Sequence, residues 1–382
     1  MRELQRRNRE VFFITSYKTR RFLKERLTRD HIDITRLLAG VPISERRRIK
    51  QRVAEIAPEL KRVLGNRDGG CDRWLEAGLL AKAVAKQWAE GASAIIVDAD
   101  FEAVRKGFLL GAAEAGVPSL MLQHGTWGPM MFPIHATITG CWGELSRRET
   151  NDYGLEPERS VALGSPRWDC LINQRNSLSQ PEDRIRCGGD PKRPFVLLIS
   201  NTHVCHRYPE LYEPYFEGVA RLLEATDVDV AIKQHPSEVG LTEYQKRIPE
   251  RMLARLRTTP QELGLHRPLL ACDVVYHVGS AASLEAMMLG VPTLFEKGRE
   301  ATPAKYAPPL YGGGDWCGPD DVVHRVCELA KPGVARASLL ERQTAFLDLA
   351  LVNRGRSAHA VADYLESMTA TRVSAPEALL AR

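Results

Sequence analysis

Short apolar runs alternate along the chain with longer stretches whose apolar residues recur at helical spacing. In the first half the runs predict strands at residues 94–97, 119–123, 136–141 and 161–163, with helices at 102–115 and 144–153. After residue 193 the pattern restarts, with strands at 195–200, 228–233, 274–277 and 293–295 and helices at 213–225 and 241–256. Strands separated by helices of this length are typical of parallel α/β sheets.

The two series are separated and flanked by segments of different character. Residues 1–90 predict one short strand at 11–15 and helices at 18–28, 44–63 and 73–90, and the C-terminal part predicts helices at 319–329, 337–350 and 357–368. Residues 174–193 are polar and rich in Pro and Gly, as linkers often are. We therefore expect an N-terminal α/β domain at 1–175, a linker at 176–193, a second α/β domain at 194–335 and C-terminal helices at 336–382.

The composition is that of an ordinary globular protein, with 44% hydrophobic and 26% charged residues. There is no apolar run of membrane-spanning length, and the first residues, MRELQRRNRE, lack the apolar core of a signal peptide. The eight cysteines are scattered singly without metal-ligand spacing, so we interpret them as reduced thiols. These features predict a cytoplasmic protein without structural zinc.

Positive charge is concentrated near the N-terminus, where residues 1–63 hold eighteen Lys and Arg against eight Asp and Glu. Such a surface suits anionic lipid or an anionic polymer, and a solvated helix face explains it equally well. No nucleic-acid motif or aromatic stacking pattern accompanies the charge, so nucleic acid is not an expected partner. Peripheral contact with the inner face of a membrane remains an expectation.

Polar residues that can take part in catalysis or ligand binding follow the predicted strands. His124 ends one strand, and histidine is a common general base, although this position also suits a phosphate donor or a histidine satisfied by backbone in a turn. Lys233 and His235 share one side of the end of another strand, where both can reach one anion. Ligands of parallel α/β sheets bind beyond such strand ends.

Residues 271–296 predict a strand, a turn, a helix and a second strand. Ser280 is the expected N-cap, Ser283 and Glu285 lie in the first helical turns, and Gly290 is the expected C-cap. Backbone N–H groups here favour an anion, while Glu285 suits the paired hydroxyls of a sugar. An ordinary βαβ unit also needs a turn and a cap at these positions. Thr202, in the donor-rich loop after the strand at 195–200, is a further candidate for phosphate contact.

Four ordered features resemble bacterial surface-polysaccharide transferases with the GT-B architecture. They are the HGT turn in 123–126, the G-x-P-R-x-D turn at 164–169, the K-x-H-P turn at 233–236, and the Ser-rich helix with its Glu and G-x-P at 280–292. The closest motifs are those of capsule-type sugar transferases and CDP-glycerol glycerophosphotransferases, and UDP-GlcNAc 2-epimerases are more distantly similar. The resemblance implies two doubly wound, Rossmann-like domains facing a cleft, with a last helix that crosses back to the N-terminal domain.

The resemblance also implies chemistry. A nucleotide-sugar or CDP-activated donor would lie on the C-terminal domain, with Lys233 and His235 at its phosphates and Ser280, Ser283 and Glu285 at phosphate or ribose. His124 of the acceptor-side domain would be the base or a phosphate ligand, and the acceptor would be a carbohydrate or a lipid-linked carbohydrate. No metal or other cofactor is expected. The predicted activity is inverting, metal-independent glycosyl transfer in surface polysaccharide biosynthesis.

Three alternatives remain open. The first is glycerophosphate transfer from a CDP-glycerol-type donor, and the second is 2-epimerisation of a UDP-GlcNAc-like substrate, for which the N-terminal half offers no recognisable acidic set. The third is a non-catalytic scaffold in carbohydrate assembly.

Overall fold

A computed structural model of the protein describes residues 2–7, 13–15, 31–33, 38–64, 71–88, 91–100, 102–128, 131–173, 182–236, 238, 240–298 and 305–373. The chain divides into two compact units. Unit 1 comprises Met1–Pro166 and Arg356–Arg382, and unit 2 comprises Arg167–Gly355. The helix predicted at 18–28 lies outside the described residues.

Unit 1 contains two parallel sheets. Its strands are β1 (Phe13–Thr15), β2 (His31–Asp33), β3 (Ile95–Val97), β4 (Ser119–Leu122), β5 (Ile138–Cys141) and β6 (Ser160–Ala162). Strands β1 and β2 pair with each other, and the other four pair in the order β3-β4-β5-β6. Its helices up to this point are α1 (Arg2–Arg6), α2 (Ile43–Leu64), α3 (Cys71–Trp88), α4 (Ala103–Glu114) and α5 (Glu144–Asp152). The alternation of strand and helix predicted for this half is confirmed.

Unit 2 is built on one parallel sheet. Its strands are β7 (Phe195–Ile199), β8 (Asp229–Lys233), β9 (Leu256–Thr258), β10 (Val274–His277), β11 (Thr293–Glu296) and β12 (Asp315–Cys317). Its helices are α6 (Pro166–Asn173), α7 (Asp183–Arg186), α8 (Pro209–Glu224), α9 (Thr242–Gln245), α10 (Glu250–Leu253), α11 (His266–Ala271), α12 (Ala282–Met288), α13 (Val322–Ala330) and α14 (Val334–Ala350). Every residue of β7 is buried, as the apolar sequence of a central parallel strand requires.

The strand order of unit 2 is β12-β11-β10-β7-β8-β9. The chain starts at β7, builds outward through β8 and β9, and then returns to the other side of β7 with β10. The order therefore reverses between β7 and β10, and the loops that leave these two strands flank the reversal. In doubly wound sheets this point is the usual place for a ligand.

One helix prediction was wrong in unit 2. The segment 241–256 forms two short helices, α9 and α10, and its last residue begins β9. Pro249 separates the two helices because proline lacks an amide hydrogen and disfavours a helical conformation of the residue before it. Helix α11 was not predicted either. The predicted C-cap of α12 is one residue out of place: the C-cap is Leu289, and Gly290 follows it with φ of 75° and donates its N–H to the carbonyl of Met287.

The last helix, α15 (Ser357–Val373), belongs to unit 1 although the whole of unit 2 precedes it in the chain. Val361 and Leu365 of α15 pack with Leu120 of β4 and with Leu163, which follows β6. These contacts cover one face of the unit 1 sheet. Among the described residues, no helix is both long enough and apolar enough to cross a membrane.

Candidate functional site

Lys233 is the last residue of β8 and lies beside Ile199, the last residue of β7. Its side chain is half-buried, and burial lowers the pKa of its ammonium group despite nearby negative charge from Glu262. Within the described part of the chain, no hydrogen bond or ion pair to the ammonium group is formed. A half-buried cation with no anionic partner is costly, so this position suits an anionic ligand.

The loop after β7 is joined to the loop after β10. Asn201 donates from Nδ2 to the carbonyl of Gly279 at 2.9 Å, and its carbonyl accepts a hydrogen bond from the buried hydroxyl of Tyr212 at 3.2 Å. Thr202 and Ser280, which the sequence predicts as phosphate ligands, lie one residue beyond Asn201 and Gly279 respectively. The two loops that flank the reversal of strand order are thus fixed to each other.

The two serines of the second loop take part in local hydrogen bonds. The Ser280 hydroxyl oxygen accepts from the N–H of Ala282 at 3.2 Å, and the Ser283 hydroxyl donates to the carbonyl of Ser280 at 2.7 Å. The N-cap position of α12 is Ala281 and not Ser280, so the predicted cap is one residue out of place. Ser283 is buried, whereas Ser280 retains partial exposure.

Glu285, on α12, is held by two side chains of unit 2. Arg167 approaches Oε1 at 3.0 Å and His266 approaches Oε2 at 2.7 Å. Burial by itself would raise the pKa of Glu285, but the hydrogen bond from His266 and the charge of Arg167 act against burial, and the pKa is lowered. The carboxylate is therefore ionised, fixed in orientation and balanced in charge.

His235 lies in the loop after β8 and is exposed, and its ring stacks on that of His203 with centroids 4.5 Å apart. Burial and the neighbouring His203 lower the pKa of His235, while Glu238 acts in the opposite direction. Two imidazole rings at this distance repel each other when both are protonated. A bound dianion would reduce that repulsion, which makes the pair compatible with a phosphate group.

In unit 1, His124 lies on a small hollow at the ends of β3 and β4. The hollow is lined by Asp98, Ala99, Asp100, Met121, Gln123, His124, Gly125, Trp127 and Met131. Gln123 fixes the turn, because its side chain donates to the carbonyl of Gly125 at 2.9 Å and accepts from the N–H of Trp142 at 2.9 Å. His124 itself is exposed. The turn thus holds the imidazole at the accessible edge of the hollow.

Asp100 is almost completely buried in the same hollow. Its Oδ2 accepts hydrogen bonds from the backbone N–H groups of His135 and Ala136, whereas Oδ1 has no partner among the described residues. Burial raises the pKa of this carboxyl group, although the N–H of His135 acts against the shift. Asp98 and Asp100 follow β3 and line the same hollow as His124.

Three residues of the unit 2 site were not recognised in the sequence. They are Arg167, which the sequence marks only as part of the turn at 164–169, and His266 and Glu238. Glu238 lies three residues after His235, a spacing at which an acidic side chain can accept from the earlier residue's N–H. That spacing is a usable signal, whereas nothing local to His266 indicates its contact with Glu285.

In the described part of the chain, no group of three or more His, Cys, Asp or Glu residues is arranged to hold a metal ion. The cysteine side chains that the structure describes are free thiols.

Comparison with known proteins gives similarity in fold. No protein-family model matches the chain, and no curated protein matches it in sequence. A Listeria monocytogenes structure assigned as a UDP-N-acetylglucosamine 2-epimerase matches with a TM-score of 0.58 at 13% identity, covering 98% of this chain and 91% of that one. The UDP-GlcNAc 2-epimerase of Methanocaldococcus jannaschii matches with a TM-score of 0.56 at 12% identity, covering 96% and 94%.

A third structure, that of S. aureus MnaA with UDP, matches with a TM-score of 0.53 at 14% identity, covering 78% of this chain and 81% of that one. At these identities the similarity defines the fold and not the reaction. The predicted GT-B-like class, with two parallel-sheet α/β domains, is therefore confirmed.

Proposed function

We propose that the protein is an enzyme that uses a nucleotide-activated sugar and transfers the sugar to a carbohydrate or lipid-linked acceptor. The observation that carries the proposal is Lys233, a half-buried cation at the strand ends beside the reversal of strand order. The diphosphate of the donor supplies the anion that this position lacks. Ser280 and His235 contribute further donors at the same edge of the sheet, whereas the N–H and the hydroxyl of Thr202 both donate to Glu238.

Glu285 is the proposed ribose ligand. A carboxylate has about four acceptor positions, so it can accept from ribose hydroxyls while Arg167 and His266 hold it in place. Because Arg167 and His266 also balance the charge of Glu285, this carboxylate repels a nearby phosphate less than a bare carboxylate would. Its fixed orientation favours recognition of paired hydroxyl groups.

His124 is the proposed base of the transfer. In the proposed step its imidazole takes the proton of the acceptor hydroxyl, the acceptor oxygen attacks the anomeric carbon, and the nucleoside diphosphate leaves with the bonding electrons. Lys233 and His235 stabilise the negative charge that develops on the leaving phosphate. Inversion at the anomeric carbon follows from a single displacement.

Epimerisation of the nucleotide-sugar is the second candidate. Asp100, a buried carboxyl group with a raised pKa, lines the same hollow as His124, and this pair could exchange protons with a sugar in an elimination and re-addition. Glycerophosphate transfer needs the same donor site in unit 2 and a different electrophile.

The reaction products distinguish these candidates. Purified protein is incubated with a panel of nucleotide-sugars and CDP-glycerol, with and without sugar or polyol acceptors, and free nucleotide and altered donor are measured by chromatography. Acceptor-dependent release of a nucleoside diphosphate is expected, and release of CMP from CDP-glycerol would favour glycerophosphate transfer. Formation of an epimeric nucleotide-sugar without release of the nucleotide would show that the reaction is epimerisation and not transfer. Binding without any turnover would overturn the enzymatic proposal and favour a scaffold.

A further inference from the structure

Glu238 receives hydrogen bonds from two separate loops of unit 2. Its Oε1 accepts from the hydroxyl of Ser200 at 2.6 Å, from the hydroxyl of Thr202 at 2.7 Å and from the N–H of Thr202. Its Oε2 accepts from the N–H of His235 at 2.9 Å. One carboxylate therefore joins the loop after β7 to the loop after β8.

Only part of this arrangement is local. The bond from His235 spans three residues and occurs in many turns, but the bonds from Ser200 and Thr202 span 38 and 36 residues. Ser200 is also held by a second residue, because the buried hydroxyl of Tyr244 donates to Ser200 Oγ at 2.9 Å. The long-range bonds fix the two loops relative to each other in a way that neither loop achieves alone.

The loops fixed in this way carry groups assigned to the phosphate. His235 is one of the proposed ligands, and its ring stacks on that of His203, on the other loop, with centroids 4.5 Å apart. A displacement of either loop would separate these rings. The contacts of Glu238 thus determine the geometry of the donor-rich edge.

Glu238 is poorly suited to touch the ligand itself. An ionised carboxylate has no hydrogen to donate to a phosphate oxygen, and Glu238 already accepts three protein donors on Oε1 and one on Oε2. A bare carboxylate beside a phosphate would also weaken phosphate binding, whereas one that accepts four N–H and O–H donors has its charge partly balanced. Glu238 therefore shapes the site and does not itself contact the ligand.

We propose that Glu238 is a positioning residue of the phosphate subsite, holding the loops after β7 and β8 in the arrangement that binds a nucleoside diphosphate. This inference rests on the proposed function. It predicts that loss of Glu238 weakens recognition of the phosphates and leaves recognition of the nucleoside unchanged.

The test compares Glu238→Gln and Glu238→Ala with the wild-type chain. In Glu238→Gln the amide oxygen can still accept from Ser200 and Thr202, while the NH₂ group faces the N–H of His235 and cannot accept from it. Glu238→Ala removes both connections. We expect the dissociation constant of the best-bound diphosphate among UDP, CDP and GDP to rise about threefold in the Gln variant and about tenfold or more in the Ala variant.

Affinity for the matching nucleoside, measured by competition in a calorimetric titration, should stay within about twofold of wild type in both variants, as for a change that adds no contact to the ligand. Glu224→Gln, an exposed substitution on α8, is the matched control and should bind both ligands normally. Urea unfolding checks that each variant is folded.

Equal affinity of wild type and Glu238→Ala for the diphosphate would overturn the positioning role. So would a parallel loss for diphosphate and nucleoside, because that pattern indicates a general disturbance of unit 2. If the wild-type chain binds none of the three diphosphates, the proposed function itself fails, which is a different result from either of these.

Discussion

His277, the last residue of β10, is a buried histidine close in sequence to the proposed site. It is fully buried, its ring packs on Phe295 with centroids 4.2 Å apart, and neither ring nitrogen has a partner among the described residues. Burial lowers the pKa of His277 to about 3. The residue is therefore neutral at physiological pH and contributes packing without charge.

The pKa of His277 predicts a pH dependence of stability. An unfolded histidine has a pKa of about 6.5, so below that pH the unfolded chain takes up a proton that the folded chain does not accept until about pH 3. The free energy of unfolding therefore falls by up to about 1.4 kcal/mol for each pH unit below 6.5. In His277→Leu this loss should be smaller by about 1 kcal/mol between pH 7 and 5.5 in urea titrations.

The exposed variant His206→Gln serves as the control for His277, and its pH dependence should match that of wild type. Equal losses of stability in wild type and His277→Leu would show that His277 is accessible to protons in the folded state.

The lowered pKa of Glu285 predicts a loss of stability in the same direction, on acidification, but at a lower pH. Its stabilising contribution is present above the pKa of an unfolded glutamate, about 4.3, and is lost as pH falls through the lower folded value. Glu285→Gln should lower the free energy of unfolding by about 1 kcal/mol at pH 6, since Arg167 is partly exposed and the ion pair is screened. The difference between the two proteins should shrink toward pH 3; a constant difference would mean that the carboxylate charge does not contribute.

Some of these residues could be predicted and others could not. Lys233 and His235 are visible in the sequence because a polar pair directly after an apolar strand lies at a sheet edge. Arg167 and His266 reach Glu285 from positions 118 and 19 residues away in the chain, so no local pattern relates them. The hydroxyl of Ser283, predicted to face a ligand, instead donates to a neighbouring carbonyl.

At the scale of elements, α3 and α4 pack with their backbones in close contact. A Cβ atom added to Gly107 would lie 2.0 Å from the carbonyl oxygen of Gly78, and one added to Gly111 would lie 2.2 Å from that of Lys82. The obstructing atoms belong to the backbone and cannot rotate away. Small residues at these positions are what allows the two helices to approach.

Gly107→Ala should therefore destabilise unit 1. Overpacking of a closely packed contact typically costs about 1–3 kcal/mol, and we expect the free energy of unfolding to fall by about that amount. Gly91→Ala, where an added Cβ meets nothing within 4 Å, is the control and should change stability by less than about 0.5 kcal/mol. Equal stability of the two variants in urea titrations would contradict the close helix contact.

The sequence predicts elements well where apolar spacing is clear and less well where local chemistry interrupts it. The long helices α2 and α3 follow from periodicity, and the strands β7 and β8 follow from their short apolar runs. The segment 241–256 has helical spacing throughout, yet Pro249 divides it into α9 and α10. Six-residue α11 is too short for periodicity to identify.

At the scale of the whole molecule, the stability of unit 1 depends on α15, which follows the whole of unit 2 in the chain. Leu365 of α15 is buried against the unit 1 cluster that contains Leu120 and Leu163. Truncation of a buried leucine usually costs about 2–5 kcal/mol, so Leu365→Ala should lower the stability of unit 1 by that order. Leu349→Ala, at an exposed position of α14, should have little effect.

Proteolysis can assign the effect of Leu365→Ala to a unit. Cleavage during partial unfolding should appear first among peptides from unit 1, while those from unit 2 stay protected as in wild type. Faster cleavage of unit 2 alone would contradict the assignment of α15 to unit 1.

The central claim is that Lys233 belongs to a nucleoside diphosphate site in unit 2, and a calorimetric titration tests it directly. UDP, CDP and GDP are titrated into the wild-type chain, Lys233→Met and the exposed control Lys331→Met. At least one nucleotide should bind wild type and Lys331→Met alike, and about tenfold or more weakly to Lys233→Met, as expected for loss of a charge-assisted contact to phosphate. Equal affinity for wild type and Lys233→Met, or binding of none of the three nucleotides, would contradict the claim.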